Sequence, residues 1–151
     1  MALIRPACTA DIPRLLALYE ELSLVTTSAE QSRCPTPSDY EGALARIHST
    51  PGYSLLVVEE NGDVAGLMSL LIMPNLSHGT LPWALIESLV INSRSRNLGL
   101  GTMLVKHAIE RARASGCYKL VLDSNKQRLD AHRFYRSLGF EEYSLGFRMH
   151  F

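Results

Sequence analysis

One stretch of the chain holds residue types that together can bind an anion. A predicted apolar strand, Trp83–Ile91, leads into a loop with Arg94 and Arg96, and Gly99 and Gly101 stand where a helix begins. Glycine lets a backbone approach a ligand closely. The free N–H groups of a first helical turn bind anions at the positive end of the helix dipole. This stretch therefore predicts a phosphate site made mainly of backbone groups.

Three interpretations of this loop compete. A Walker-type loop requires Gly-Lys-Ser/Thr at its end, and Gly101-Thr102 lacks the lysine, which argues against it. A dinucleotide fingerprint requires a third glycine where Leu104 stands. Asp123 could imitate its ribose-binding carboxylate, but the chain has no second mononucleotide-binding half. The third interpretation is a glycine-containing helix start that binds no ligand, which Gly-x-Gly alone does not exclude.

The distribution of charge favours an anionic ligand in the second part of the chain. The 151 residues carry no formal net charge, which argues against a nucleic-acid partner. Residues 1–90 hold four basic and ten acidic side chains, whereas residues 91–151 hold eleven and five. A basic second part suits an anionic ligand, and chance clustering of solvated charges would explain the same numbers.

The elements that must position the loop follow from hydrophobic periodicity and turn residues. The pattern predicts the order β-α-α-β-β-β-α-β-α-β, with a hairpin turn at Asn61-Gly62 and one or two closing strands within residues 141–151. We therefore expect a mixed α+β (α/β) class. Its mostly antiparallel, twisted sheet would have about six to seven strands flanked by about four helices. The length suits a single domain over residues 1–151.

Cysteine spacing and the first residues predict a cytoplasmic protein. Cys8, Cys34 and Cys117 are odd in number and widely spaced, so neither a disulfide framework nor a metal site is expected. No apolar run reaches the ~18 residues of a membrane span. Residues 1–6 lack the pattern of a signal peptide. We expect no membrane partner.

Three motifs within residues 84–140 resemble those of one enzyme family. They are Arg96-x-x-Gly99-x-Gly101, Gly116-Cys-Tyr-Lys-Leu-Val-Leu and His132-Arg-Phe-Tyr-Arg-Ser-Leu-Gly-Phe. They are similar to the pyrophosphate loop, the next strand and the FY-x-x-x-GF segment of the GCN5-related N-acetyltransferase (GNAT) family. The element order matches the family over the whole chain. The resemblance implies a GNAT-like acyl-CoA N-acyltransferase fold and an enzyme that uses acetyl-CoA as its co-substrate.

The resemblance also implies which residues hold the cofactor. The pantetheine arm would pair with three strand residues, Leu89, Val90 and Ile91. The N–H near Leu89 would polarise the acetyl carbonyl. The pyrophosphate would bind Arg96 and the consecutive N–H groups of Asn97, Leu98, Gly99, Leu100, Gly101 and Thr102. Asn125 and either Lys126 or Arg128 would contact CoA further on, although the two cations could equally be solvated surface charges.

Two side chains match catalytic positions of the family. Glu87 is a carboxylate in an otherwise apolar strand, and the resemblance makes it a general base that acts through water. Tyr135 matches the tyrosine that donates a proton to the CoA sulfur, a role that suits a weakly acidic phenol. An ion pair for Glu87 and a core aromatic role for Tyr135 are the alternatives.

The resemblance leaves the acceptor and the partners less defined. Residues 125–135 look most like small-molecule members, including those that act on aminoalkylphosphonates, so we expect a small-molecule amine acceptor. An anionic acceptor would require a cationic or metal-binding loop, which only Arg33, His78 and Arg148 offer. A protein N-terminus or lysine as acceptor stays open, as does a non-catalytic CoA-binding or partner-binding domain. The apolar strand ending in residues 147–151 could pair two chains into a homodimer.

Overall fold

Five strands and five α-helices are formed by the residues that the structure, a computed structural model, describes: 1–22 and 27–151. The strands are β1 (Ala2–Pro6), β2 (Tyr53–Glu60), β3 (Asp63–Met73), β4 (Trp83–Ile91) and β5 (Leu120–Leu122). The helices are α1 (Ile12–Glu20), α2 (Ser28–Gln31), α3 (Pro37–Ser49), α4 (Leu100–Ala114) and α5 (Leu129–Ser137). Short 3-10 turns occupy Thr9–Asp11, His78–Thr80 and Ser93–Ser95. No described helix is long and apolar enough to cross a membrane.

The strands form one sheet in the order β1-β2-β3-β4-β5. Strands β1 to β4 pair antiparallel with one another, and β5 pairs parallel with β4. Helix α4 provides the crossover between β4 and β5, as the sequence predicts. The mixed α+β class is confirmed.

Both faces of the sheet are covered, which explains the long apolar runs in β2 and β3. Leu56 and Val58 of β2 pack on the face that α4 covers through Leu104 and Val105. The intervening residues of β2 face the other side, where α1 and α3 contribute a second cluster. Its members include Leu15, Leu18, Leu44, Leu55 and Val57. The alternation places the sheet between two helical layers.

Backbone geometry confirms the predicted hairpin turn and shows where α3 begins. Asn61 and Gly62 join β2 to β3 with φ of 52° and 88°, as expected for a two-residue hairpin turn. Thr36 caps α3: its Oγ1 accepts from Asp39 N at 3.3 Å, and Asp39 Oδ2 accepts from Thr36 N at 2.7 Å. Turn and cap residues thus define these boundaries in the sequence itself.

An ion cluster fixes the first strand against the first helical turn. The Arg5 guanidinium donates to both oxygens of the buried Asp11 carboxylate, at 2.7 and 2.8 Å, and also to Glu59 of β2. The Arg5 hydrogen bonds lower the pKa of Asp11 from 3.8 to about 2, against the opposing effect of burial. This cluster joins β1, the first 3-10 turn and β2, all within the acidic residues 1–90.

The end of the chain departs from the prediction. Residues 141–151 form no strand, so the described sheet has five strands rather than about six or seven. A strand requires a neighbour for its N–H and C=O groups, and within the described residues β5 has no neighbour beyond β4. A further difference is the four-residue helix α2, which lies where the many Ser, Thr and Pro residues of 26–37 predict a loop. A Thr27–Glu30 capping box stabilises this helix.

Candidate active site

The candidate site begins where β4 and β5 separate. Their pairing runs only from Ala84–Leu120 to Ile86–Leu122. Strand β4 continues to Ile91, and the backbone of residues 87–91 has no β5 partner among the described residues. Backbone groups on that side of the strand are therefore available to an extended ligand. The cleft lies on the C-terminal side of two parallel strands, which is a common place for ligands in such sheets.

The three residues predicted to bind pantetheine offer backbone rather than side chains. Leu89 and Ile91 pack towards the α4 side of the sheet, and Val90 is buried in the opposite cluster. Gly66 on β3 makes room for this strand, because an added Cβ would lie 2.7 Å from Val90 O. The arrangement permits main-chain pairing with a ligand's amides and leaves these side chains in the core.

The predicted pyrophosphate loop ends in a helix start with free N–H groups. Asn97 and Gly99 have φ of 63° and 77°, so the chain turns sharply before α4 begins at Leu100. Met103 N donates to Gly99 O at 3.0 Å, which is the first bond of the helix. The N–H groups from Gly99 to Thr102 therefore have no intrahelical acceptor. They provide the geometry of an anion site.

Two further features surround this loop. Glu21, just after α1, accepts from Asn92 Nδ2 and Ser93 N at 2.8 Å and lies 3.4 Å from Arg96 Nη2. This carboxylate orients the loop from the far side of the chain, a role that the sequence does not reveal. A hollow of about 670 Å³ beside the β2–β3 turn contains Leu98 as its one predicted site residue.

A second pocket brings predicted cofactor residues together. Arg96 and Arg128 line the same hollow of about 450 Å³, together with Arg133 and its ion-pair partner Asp130. Asn125, by contrast, is engaged locally: its Oδ1 accepts from Gln127 N at 2.9 Å, and His132 Nε2 lies 2.9 Å from its carbonyl oxygen. The three guanidinium groups suit a phosphate, and the Asn125 Nδ2 group can still donate to a ligand while Oδ1 is engaged.

Glu87 occupies a β-bulge at the edge of this cleft. Ser69 of β3 pairs with Ser88 and the next residue, Leu70, pairs with Ile86, so Glu87 is the extra residue. Its carboxylate is exposed, and Ser88 Oγ donates to Oε2 at 2.5 Å. A bulge re-aims a side chain out of the regular alternation. This is how a carboxylate reaches solvent from an apolar strand.

Tyr19 of α1 lies close enough to Glu87 of β4 for the carboxylate to affect its pKa. Burial raises the pKa of the Tyr19 phenol, the hydrogen bond with Ser69 opposes that rise, and nearby Tyr53 and Glu87 add to it. Sequence reasoning did not single out Tyr19, Tyr53 or Ser69. Tyr19 follows Leu15 by one helical turn, so the pattern indicates only a core position.

Tyr135 is half-buried in α5 within an aromatic cluster. Its ring lies 5.3 Å from Phe134 and 5.9 Å from Phe140, between ring centroids. Burial raises the pKa of the phenol, and the positive charge of Arg128 opposes that shift. The hydroxyl therefore holds its proton at neutral pH and can donate it. Phe134 also packs near Gly101, where an added Cβ would be 3.5 Å away.

Two other polar candidates lie at different ends of β5. Ser124, after the strand, has a buried Oγ with no hydrogen-bond partner among the described residues. His78 lies near the start of β4 and β5, stacked on Tyr118 at 4.1 Å and away from the helix start. The described ranges, 1–22 and 27–151, hold no group of three His, Cys, Asp or Glu side chains suited to a metal ion.

The family model of the acetyltransferase (GNAT) family matches residues 15–140. The chain therefore belongs to the GNAT family of acetyl-CoA-dependent N-acetyltransferases.

Two relatives and one solved structure show how similar the chain is to individual proteins. The chain is 35% identical to the aminoalkylphosphonate N-acetyltransferase of Salmonella typhimurium, over 92% of this chain and 84% of that one. It is 34% identical to the glucosamine 6-phosphate N-acetyltransferase of Trypanosoma brucei brucei, over 60% of each chain. A solved structure described as a transcriptional regulator from Bacillus halodurans superposes with a TM-score of 0.85 at 31% identity, over all of both chains.

Proposed function

We propose that the protein transfers the acetyl group of acetyl-CoA to the primary amine of a small molecule, with Glu87 as general base and Tyr135 as general acid. The observation that carries this proposal is the end of β4–β5 pairing at Ile86. Beyond it, one carboxylate, an open strand and a free helix start follow each other along the same cleft. This order suits an amine, a thioester and a pyrophosphate.

The cofactor would be held mostly by backbone. Open main-chain groups of Leu89–Ile91 would pair with the pantetheine amides, and the N–H groups of residues 97–102 would bind the pyrophosphate. Arg96 and Arg128 line one pocket and would meet a further phosphate there. Bound in this way, acetyl-CoA supplies the activated acetyl group, and holding both substrates together removes much of the entropic barrier.

The transfer requires two proton movements. The amine nitrogen attacks the thioester carbonyl carbon, so a C–N bond forms and the C–S bond breaks. Glu87, exposed and held through one oxygen by Ser88, would take the amine proton through a water molecule. Tyr135 would give its proton to the departing sulfur and regain one from solvent. Both groups act in ordinary acid–base roles.

The acceptor class is supported by the relatives and by the charge of the cleft. Two relatives are named for small amines, an aminoalkylphosphonate and glucosamine 6-phosphate. On this chain, the Glu87 carboxylate is exposed at the cleft, and its charge suits a cationic amine.

The test is release of the CoA thiol from acetyl-CoA, followed with a chromogenic disulfide reagent. The panel contains aminoalkylphosphonates, glucosamine 6-phosphate, free amino acids, and peptides with a free N-terminus or lysine. We expect at least one small amine to raise thiol release well above the amine-free rate. Binding of CoA without stimulation by any small amine, or stimulation by peptides alone, would contradict the proposal.

A further inference from the structure

Glu21 ties the end of helix α1 to the segment that leads into the predicted phosphate loop. Its two carboxylate oxygens accept separate hydrogen bonds at 2.8 Å, Oε1 from Asn92 Nδ2 and Oε2 from Ser93 N. Oε2 also lies 3.4 Å from Arg96 Nη2. The three donors are 71 to 75 residues away along the chain, so these contacts exist only in the folded protein. A carboxylate shared in this way fixes both the position and the direction of the segment.

The Glu21 carboxylate stands on a rigid base. Glu21 N donates to Leu18 O at 3.1 Å at the end of α1, and Leu18 is fully buried in the second core cluster. A negative charge at the C-terminal end of a helix is unfavourable to the helix itself. The charge of Glu21 therefore brings no benefit to α1, and its stabilising contacts are those with residues 92–96.

Asn92 passes this restraint on to the residues that follow it. Its Oδ1 accepts from Arg94 N at 3.0 Å, which leaves Nδ2 directed at Glu21. Asn92 N donates to Ala65 O of β3 at 2.8 Å. The 3-10 turn Ser93–Ser95 is thus held from the sheet and from α1 at once, and the chain leaves this turn in a fixed direction.

The segment held by Glu21 is separated from the free N–H groups of α4 by a short connection. Only residues 97–99 lie between Arg96 and Leu100, the first residue of α4. Within this connection Asn97 and Gly99 have φ of 63° and 77°, so it is tightly turned as well as short. A shift of Arg96 is therefore transmitted to the first turn of α4.

The contact of Glu21 with Arg96 is weaker than its contacts with Asn92 and Ser93. Hydrogen bonds between charged groups are typically about 2.7–2.9 Å long, and this one is 3.4 Å, with the Arg96 side chain 56% exposed. Arg96 can therefore turn towards a phosphate while the two shorter bonds keep the segment in place. Repulsion between Glu21 and that phosphate opposes binding, but salt screens it over about 8 Å at physiological ionic strength.

We propose that Glu21 is a positioning residue for acetyl-CoA, which fixes residues 92–96 so that Arg96 and the first turn of α4 meet the CoA phosphates. The inference rests on the proposed binding of acetyl-CoA in this cleft. Glu21 acts through Asn92 and Ser93, and no step of the acetyl transfer passes through its carboxylate. Its effect should therefore fall on the binding of the phosphates and leave the chemical step unchanged.

The first test is calorimetric titration of CoA into the full chain, which requires no amine acceptor. Glu21→Gln should raise the Kd for CoA about 10-fold, the effect of losing about one charge-assisted hydrogen bond. The reason is that the amide nitrogen of the variant side chain cannot accept the second donor. Glu20→Gln is the matched control, because it removes the same charge from the same end of α1, where Glu20 is exposed. It should keep the wild-type Kd.

The second test separates the positioning of the phosphate site from a general structural role. S-acetylpantetheine carries the same thioester as acetyl-CoA but lacks the nucleotide and all the phosphates. With the amine that gives the highest rate, Glu21→Gln should lower kcat/KM about 10-fold for acetyl-CoA and less than about two-fold for S-acetylpantetheine. The kcat at saturating acetyl-CoA should stay near the wild-type value.

Three results would overturn the proposal for Glu21. They are unchanged or tighter CoA binding in Glu21→Gln, an equal weakening in Glu20→Gln, and an equal loss of kcat/KM with both acetyl donors. A wild type that binds CoA but acetylates no amine would instead contradict the proposed function, and the titration would still decide the role of Glu21.

Discussion

The two sides of strand β4 offer different groups to a ligand, main-chain groups on one side and side chains on the other. On the cofactor side, the candidate site consists mainly of main-chain groups: the open edge after Ile86 and the N–H groups of Gly99–Thr102. On the acceptor side it consists of side chains from separate elements, with Tyr19 of α1 beside Ser69 of β3 and Glu87 of β4. A backbone site tolerates changes of side chain, whereas a side-chain site can change its ligand by single substitutions.

The largest effect is expected at the acceptor side. Glu87→Gln should lower kcat about 1,000-fold at neutral pH, in the range for a lost general base, and leave the KM for acetyl-CoA within about two-fold. The rate should recover partly as pH rises, since more amine is then free of its proton. Steady-state kinetics against both substrates from pH 6 to 10 measure this.

The matched control for Glu87 is Glu110→Gln on the exposed face of α4. It should keep wild-type kinetics. An unaltered kcat and pH profile in Glu87→Gln would show that Glu87 is not the general base.

Tyr135→Phe tests the general acid, which would act between the cofactor side and the acceptor side. The loss of the acid should lower kcat about 100-fold with little change in acetyl-CoA affinity. Because burial raises the pKa of Tyr135, the wild-type rate should not decline through deprotonation of this acid below the ordinary tyrosine range near pH 10. Tyr118→Phe, half-buried against His78, is the control. Equal turnover in both variants would contradict the assigned role.

Asp11→Asn tests whether the ion cluster of Arg5, Asp11 and Glu59 stabilises the acidic part of the chain, residues 1–90. Loss of the Arg5 ion pair should lower the free energy of unfolding by about 2 kcal/mol near pH 7. The folded pKa of about 2 lies below the ordinary 3.8. The stabilisation is therefore present above about pH 4 and is lost as pH falls towards 2. Urea unfolding of both proteins at pH 7 and pH 3 measures it, and a constant difference between the two pH values would contradict the account.

The smallest effect is expected in the backbone of the cofactor side. Gly99→Ala must adopt a φ of 77°, which costs about 1 kcal/mol for a residue with a Cβ. Displacement of the loop should raise the KM for acetyl-CoA about 10-fold. Gly116→Ala at the other end of α4 has an equal strain, with φ of 74°. Gly116→Ala should destabilise the fold similarly without changing that KM. An equal change of KM in both variants would show that the Gly99 loop has no specific role in binding CoA.

The difference between main-chain groups and side chains also determines which parts of the site could be predicted from the sequence. Backbone sites depend on glycines and strand ends at short spacing, so Gly99, Gly101 and the preceding strand could be recognised in a single stretch. Tyr19, Ser69 and Glu21 reach the site through pairing and packing between distant elements, and nothing local distinguishes Tyr19 from a core residue on its helix. The pairing limit at Ile86 likewise depends on where β5 ends.

The closing strands show another limit of local pattern. Residues 141–151 alternate as a strand should, yet they form none, because a strand is defined by its neighbour as well as by its own residues. The alternation predicted a strand with one buried face, and in the structure these apolar side chains are exposed. The assignments of Glu87, Tyr135 and the cofactor-binding residues stay predictions until they are measured.

The most direct test of the backbone account is amide hydrogen exchange of the full chain with and without CoA. We predict slower exchange for the amides of Gly99–Thr102 and of the open part of β4, residues 87–91, with little change at the start of β4. Protection confined to the hollow beside the β2–β3 turn, or absent from the first turn of α4, would contradict the claim that main-chain groups of this cleft hold the cofactor.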